Sequence, residues 1–529
     1  MDIISAFISF FNDLPTISKT LFILCFCSLL VMHWTYLRSK RAFLPIMLVT
    51  ALLMASSFAT IDPFFHTWDE SFHALVAKNL SESYLSPHLI NENLFGSEPE
   101  VWIGKYIWLH KPPLSLWQMA VSIDLLGETV FAVRLPSILA FGGTCLFIYK
   151  IGERLFDKKT AYYGALLFLL YQFGLEQVAG IHTADHIDVA FTFYVTASFW
   201  AWITFRQEHK TVFLFLIGFF AGLAVLTKWL AGLLVFGVWG IHLISLIFGQ
   251  RDLVYKETSL MLRSLGIALI VFLPWNVYAA LKFPVEYWYE FDHARRHFYE
   301  VIELHGGDFW YYWHNLSTLF GSGTLIPFVI VLSTVCAISF IKNPKDQLAT
   351  ASFIFIPYAF FTLASTKMEN FVTIVSPIIL LCVSAFFVRL SVFLNERTKL
   401  SRQWSFVLLP FFIIFFLRPK ESMKNHRLND VKVRAINENK RKWIKGLEVQ
   451  ENAVYFYDGA SDYEQITHMF YHNNLAISGL PNSKQIDKMN GAMRNCVIIY
   501  KDDPPDNSEF PKETRFIKMP DKQTLALKR

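Results

Sequence analysis

Residues 211–249 read TVFLFLIGFFAGLAVLTKWLAGLLVFGVWGIHLISLIFG: two apolar blocks, 211–227 and 230–249, with Lys228 and Trp229 between them. Each block approaches the ~20 apolar residues that carry a helix across a bilayer. In lipid every backbone amide must bond within its own segment, so such blocks are helices and not strands. Working outward, further blocks lie near 21–37, 43–60, 134–152, 161–180, 186–205, 262–281, 322–341, 350–366, 371–393 and 404–418. The expected fold is therefore mainly α, a polytopic transmembrane bundle of about 12 helices filling residues 1–418. Composition agrees. Hydrophobic residues make up 54% and charged residues 17% of the 529, against roughly 45–50% and 25% in soluble domains. The N-terminus has neither a basic start nor a small-residue cleavage site, so the block after Thr20 reads as a membrane segment and not as a signal peptide.

Short basic loops set the direction. Arg38, Lys40 and Arg41 follow the first block, Arg154, Lys158 and Lys159 the third, and Arg206 and Lys210 the fifth. Arg251 and Lys256 follow the seventh, Lys342 and Lys345 the ninth, and Arg397, Lys399 and Arg402 the eleventh. Basic loops at every second crossing mark the cytoplasmic side. The opposite, periplasmic side then receives two long loops, 61–133 and 282–321, and the C-terminal tail. The stretch 418–445 opposes this, because it is rich in lysine and arginine; on the outer side it would have to lie on anionic headgroups.

Residues 419–529 read as a small C-terminal soluble α/β domain. Val454 to Tyr457 and Cys496 to Tyr500 look like short buried strands, with helical patterns near 463–472 and 483–493 between them. Of six cysteines only Cys496 lies outside the apolar blocks, so no disulfide framework can be read. No GxGxxG, Walker A, HExxH or paired CxxC signature occurs, which argues against nucleotide-driven and zinc-protease chemistry. The net charge of +5 is modest and speaks for orientation, not for nucleic acid.

The polar residues of the outer loops carry the chemistry. The first loop holds Trp68-Asp69-Glu70-Ser71-Phe72-His73. Two acids there suit a helix start; equally, a carboxylate at the mouth of a membrane cavity can take a proton from a hydroxyl. Asp69 and His73 share a helical face. In His110-Lys111-Pro112-Pro113-Leu114 the double proline keeps Lys111 out of a regular helix and fixes it where a phosphate could be met, although such a turn often holds only a solvated lysine. Lys228 is costly in a membrane unless it faces a polar cavity or snorkels to the boundary. The stretch from His182 to Asp188 is either an ion site or a solvated loop, and Asp292-His293-Ala294-Arg295-Arg296 either steers an anionic substrate or is a surface charge cluster.

Taken in order, Asp69-Glu70, Lys-Pro-Pro at 111–113 with Trp117, the run Phe131 to Ser137, Asp188-Val189-Ala190-Phe191, Leu226-Thr227-Lys228, Leu273-Pro274-Trp275, and Lys367 with Phe371 and Pro377 form a series. This series resembles the lipid A aminoarabinose transferase and protein O-mannosyltransferase group of GT-C membrane glycosyltransferases. The resemblance implies an inverting glycosyltransferase that moves a hexosyl or pentosyl unit from a polyprenyl-phosphate donor to a glycolipid or protein acceptor. It places the reaction at the periplasmic face of the inner membrane, as in lipid A modification of the cell envelope, with no cofactor required. It makes Asp69 and Glu70 the catalytic pair and gives Lys111, Lys228 and Lys367 the donor phosphate. His73, Asp188, Arg295 and Arg296 would line the acceptor side or the cavity. His110 and His305 stand where a zinc ion would sit. Four positions depart from the family: Phe72 replaces an arginine, His110 an acidic metal ligand, His182 the basic residue preceding the acid, and Trp229 the glycine after the lysine. The expectation uniting these roles is that residues 69, 111 and 228 serve one outward-opening chamber. A transporter or flippase of lipid-linked sugars is the rival reading; it would show inverted repeats. An assembly subunit that has lost activity is a further one.

Overall fold

The computed structural model describes residues 2–96, 105–182, 186–247, 250–398, 416–428, 430–459 and 463–527. The contacts divide the chain into two compact units: Met1–Ile61, Ser137–Lys282 and Glu290–Ser422 form one, and Asp62–Pro136, Phe283–Tyr289 and Met423–Arg529 the other. This division interleaves the chain, and its last boundary lies between Ser422 and Met423.

The first unit is a helix bundle. Six described helical stretches are long and apolar enough to cross a membrane: Thr16–Leu37, Val130–Leu155, His186–Glu208, Thr211–Ile247, Arg251–Lys282 and Glu369–Phe393. Phe43–Ala59 and Ile326–Phe340 are shorter apolar helices, and Pro344–Leu363 covers the tenth block. The block 161–180 is broken at Leu170 and Tyr171 into Lys158–Leu169 and Gln172–Val178. Of the twelfth block, residues 404–415 lie outside the described residues, as do Lys399 and Arg402. Helix Thr16–Leu37 shows why the bundle belongs in lipid: Ile17, Ile23, Leu24, Phe26, Leu30 and Trp34 are all exposed. A helix apolar on its outer face as well as its inner one needs an apolar solvent. Between helices, small residues allow close approach. Gly218 and Gly222, one turn apart on Thr211–Lys228, face Arg251–Lys282; a Cβ on Gly222 would stand 2.9 Å from the Ala268 carbonyl oxygen.

The basic loops meet one another. Arg154 pairs with Glu208 at 2.5 Å, Arg206 with Asp346 at 3.0 Å, and Lys345 Nζ donates to Gln250 at 2.9 Å. Loops following the third, fifth, seventh and ninth blocks therefore share one face of the bundle, as their alternation requires.

The second unit has a four-stranded parallel sheet, β1 Ala453–Asp458, β2 Ala476–Ser478, β3 Asn495–Tyr500 and β4 Arg515–Lys518, in the order β2-β1-β3-β4. Tyr455 aligns with Ala476 on one side and Val497 on the other. Helices Glu464–Tyr471 and Ser483–Gly491 make the crossovers; the second starts with a capping box between Asn482 and Gln485. The buried side chains of β1 and β3 do not form a core of their own. Tyr455, Phe456, Ile498 and Ile499 share one apolar cluster with Phe72, Leu75, Trp108 and Leu116 of the first outer loop. Polar contacts add to this: Lys78 Nζ donates to the carbonyls of Met469 and Phe470 at 3.1 and 2.7 Å, and Arg494 pairs with Glu92 at 3.0 Å.

The C-terminal module and the first outer loop consequently lie on the same side of the membrane. Part of the basic run is paired within the unit. Arg434 is bonded to Asp62, Lys440 pairs with Glu464 at 2.7 Å, and Lys442 with Glu438 at 2.8 Å.

Candidate functional site

In the second unit, Asp69 opens helix Asp69–Glu82 and is half-buried. Its neighbours hold it in place. The Arg134 side chain is fully buried and donates from Nε to Glu70 Oε1 at 2.7 Å and from Nη2 to Glu70 Oε2 at 3.1 Å. Arg134 also donates to the carbonyls of Asp62 at 2.8 Å and Phe64 at 3.1 Å, while Glu70 accepts from the His66 amide at 2.6 Å. A two-pronged buried pair of this kind fixes both position and orientation. Glu70 is thus committed to Arg134 and braces the helix start, leaving Asp69 as the more accessible acid of the two. Trp68, just before it, has φ 68° and ψ −130°, a conformation that costs a non-glycine residue on the order of 1–3 kcal/mol.

A second buried cluster lies beside the first. Asp62 meets His426 at 2.6 Å and His66 at 3.2 Å and is bonded to Arg434. Burial pushes its carboxyl up, but the charge and hydrogen bond of His426, aided by His66, outweigh that and hold it well below the ordinary range. His73, expected on the acceptor side, is buried at 1% exposure with its ring edge-on to Trp108, 5.5 Å between centroids. His110 also lies edge-on to Trp108, at 5.7 Å. Lys111 is half-buried, and Pro112 and Pro113 are buried. Helix Leu114–Leu126 starts directly after them and ends at Gly127, φ 78°.

In the first unit, Asp188 near the start of His186–Glu208 is buried and hydrogen-bonded to Lys228, the last residue of Thr211–Lys228. Asn370 donates to the other Asp188 oxygen at 2.9 Å, and the Phe371 ring centroid lies 5.6 Å from the Lys228 ammonium. Trp229 has φ 59°, the left-handed backbone that glycine adopts without strain. Lys367 is buried at 6% and donates to the carbonyls of Thr362 and Ala364 at 3.1 and 2.5 Å, capping helix Pro344–Leu363. Its amide donates to the His305 carbonyl at 2.8 Å. Arg295 and Arg296 pair with Asp292 at 2.7 and 3.7 Å, and Arg296 with Glu300 at 3.5 Å, as helix-surface charges do. His182 stacks on Phe173 and meets buried Glu176 at 3.0 Å; residues 183–185 of that cluster lie outside the described residues.

The candidates thus fall into two groups. Asp69, Glu70, His73, His110 and Lys111 belong to the second unit, and Asp188, Lys228, Arg295, Arg296, His305 and Lys367 to the first. Of the two histidines expected near a zinc ion, His110 belongs to the second unit and His305 to the first, and among the described residues no three His, Cys, Asp or Glu side chains come together as ligands. Sequence reasoning missed Asn370, the Asp62–His426 contact and the bracing role of Arg134. An arginine at the head of the apolar block 134–152 was the available signal, because such a charge needs a partner.

Comparison with known proteins identifies the architecture first. The chain has the GT-C fold. It superposes on ArnT from Cupriavidus metallidurans bound to undecaprenyl phosphate with a TM-score of 0.62, covering 85% of this chain and 88% of that one at 12% identity. The archaeal oligosaccharyltransferase AglB from Archaeoglobus fulgidus gives 0.51 at 13% identity, over 83% of this chain and 64% of that one. Residues 110–278 match the family described as dolichyl-phosphate-mannose-protein mannosyltransferase. Sequence relatives narrow the group. An undecaprenyl phosphate-alpha-4-amino-4-deoxy-L-arabinose arabinosyl transferase of Pseudomonas fluorescens is 26% identical over 58% of this chain and 52% of its own length. One of Proteus mirabilis is 25% identical over 57% and 52%. The chain therefore resembles the aminoarabinose transferase and protein O-mannosyltransferase group within GT-C, and it spans about half the length of these relatives.

Proposed function

We propose that the protein is an inverting glycosyltransferase that uses a polyprenyl-phosphate sugar and acts at the outer face of the cytoplasmic membrane. An acceptor oxygen on a glycolipid or protein forms a bond to the anomeric carbon as that carbon's bond to the phosphate oxygen breaks. The acceptor proton passes to Asp69, and the polyprenyl phosphate leaves with the bonding electrons. Lys228, set in low dielectric by Asp188 and Asn370, and Lys111, stiffened by Pro112 and Pro113, neutralise the charge that develops on the phosphate. Lys367 supports the lysine side from its helix cap, and Glu70 supports Asp69 through Arg134.

The observation that carries the reading is the Lys228–Asp188 pair. It lies within the stretch that matches the mannosyltransferase family, and it keeps an ammonium group in a membrane bundle where an anion can use it. Envelope glycolipids and glycoproteins from a deletion strain, compared by mass spectrometry with those of the wild type, test the reading. A species lacking one sugar is expected, restored by the wild-type chain but not by Asp69→Asn inserted at equal level. Full restoration by Asp69→Asn would remove Asp69 from the mechanism, and unlinked sugar donor accumulating on one leaflet without loss of a product would favour transport.

A further inference from the structure

Trp68 combines three properties that a packing role does not explain. Its backbone stands at φ 68°, outside the range a residue with a Cβ prefers. Its side chain is 54% exposed, so this strain is not repaid by burial in a core. It also immediately precedes Asp69. Strain that packing does not demand is characteristic of residues held for contact with a ligand.

The indole is not alone. Tyr463 of the C-terminal module lies edge-on to it, 5.7 Å between centroids at 73°. Behind Tyr463 stands Phe72, buried at 1%, edge-on at 6.4 Å and 84°. The core fixes Phe72, Phe72 backs Tyr463, and Tyr463 flanks an exposed indole one residue before Asp69. On either side in sequence stand Thr67, exposed, and Asp69, half-buried. A lipid tail would need a continuous apolar groove, and these polar flanks interrupt one. A pyranose ring suits the place better: its C–H face is apolar and can cover an indole, while the hydroxyls around its rim reach polar neighbours.

We propose that Trp68 and Tyr463 form the saccharide-binding platform of the acceptor, setting its nucleophilic hydroxyl against Asp69. This rests on the transferase reading above and adds that the acceptor presents a sugar at the site of attachment. It also gives the C-terminal α/β module a task, which is to supply one wall of the acceptor subsite.

The test separates the two claims. A photo-crosslinker installed as Thr67→p-benzoylphenylalanine in the full chain, in living cells, captures what touches the platform, and mass spectrometry identifies it. A saccharide-bearing adduct is expected, reduced at least tenfold by Trp68→Ala, retained in Trp68→Phe, and still formed in Asp69→Asn. No adduct, a phospholipid-only adduct, or a saccharide adduct indifferent to Trp68→Ala overturns the platform. If transfer persists in Asp69→Asn while the adduct depends on Trp68, the role of Asp69 in transfer falls and the platform stands.

Discussion

Lys228 and Asp69, to which the proposed reaction gives the phosphate and the acceptor proton, both stand at helix ends, each next to a tryptophan with positive φ, yet their surroundings differ. Lys228 is itself a member of a part-buried ion pair with Asp188. Asp69 stands next in sequence to a member of one, the Glu70–Arg134 pair. The difference follows from the roles. A lysine that is to meet a phosphate needs a resident partner to hold it in position. An acid that accepts a proton from an incoming hydroxyl needs a fixed backbone and access, so its neighbour carries the structural load.

The largest effect should come from the brace. Arg134→Met leaves Glu70 charged and buried with its main partner gone, which costs about 3–5 kcal/mol. Thermal unfolding of the detergent-purified protein should show a large drop, and loop 62–136 should become protease-sensitive. Replacing both members, Glu70→Leu with Arg134→Met, should recover much of the loss. A single mutant as stable as the wild type would mean that Glu70 is free for chemistry, and the contrast with Lys228 would collapse.

Next comes the pair itself. Lys228→Ala should cut transfer by about 10²–10³-fold, the usual consequence of losing a charge that meets a developing anion. Asp188→Asn keeps the ammonium but loosens it, so a smaller fall of about tenfold is expected, by the same argument on positioning. If the two act as a unit, the double mutant will be no worse than Lys228→Ala alone. Multiplicative losses would show that Asp188 works separately.

These contrasts were only partly open to sequence reading. The transmembrane blocks were legible because apolar runs report a local property, the solvent around each segment. The Asp69, Lys111 and Lys228 positions were legible because each stands at an element end beside proline, tryptophan or an apolar run. The joint core of Phe72, Trp108, Tyr455 and Ile498 was not, since it joins residues more than three hundred positions apart and such pairing leaves no period in either segment. His73 sits four residues after Asp69, but only the fold shows that Trp108 closes over it. Lys367 illustrates the opposite limit: its cap on Pro344–Leu363 requires knowing where that helix stops.

The Asp62 cluster offers a way to loosen the second unit by pH and leave the Lys228 pair as an internal control. Asp62 is held below its ordinary range when folded, so its contribution is present above about pH 4 and is lost as pH falls through the folded value. Melting of the purified protein should therefore weaken from about pH 4 downward, with the contacts of Asp62 to His426, His66 and Arg434 failing first. Hydrogen exchange at 423–434 reads this directly. Asp62→Asn should flatten that part of the profile and lower stability at neutral pH. An unchanged acid limb in Asp62→Asn would assign the effect to other carboxylates.

The smallest effect should be the most discriminating. Trp229→Gly relieves a strained backbone at φ 59°, worth about 1–2 kcal/mol, but gives up about 0.5–1 kcal/mol in chain entropy and the packing of a half-buried ring. These terms nearly cancel, so stability should stay within about 1 kcal/mol of the wild type, and transfer within about twofold if the ring does nothing beyond packing. Trp68→Gly relieves strain of the same kind and should be equally mild in stability, yet it removes the indole beside Asp69 and should cost acceptor use at least tenfold. Two tryptophans in similar backbone states would then separate cleanly, one kept for its contact with substrate and one tolerated at a position that glycine would fill. A tenfold loss of transfer in Trp229→Gly, with stability unchanged, would instead bring the Trp229 ring into the Lys228 site and make the two regions alike in using a strained aromatic beside the reacting charge.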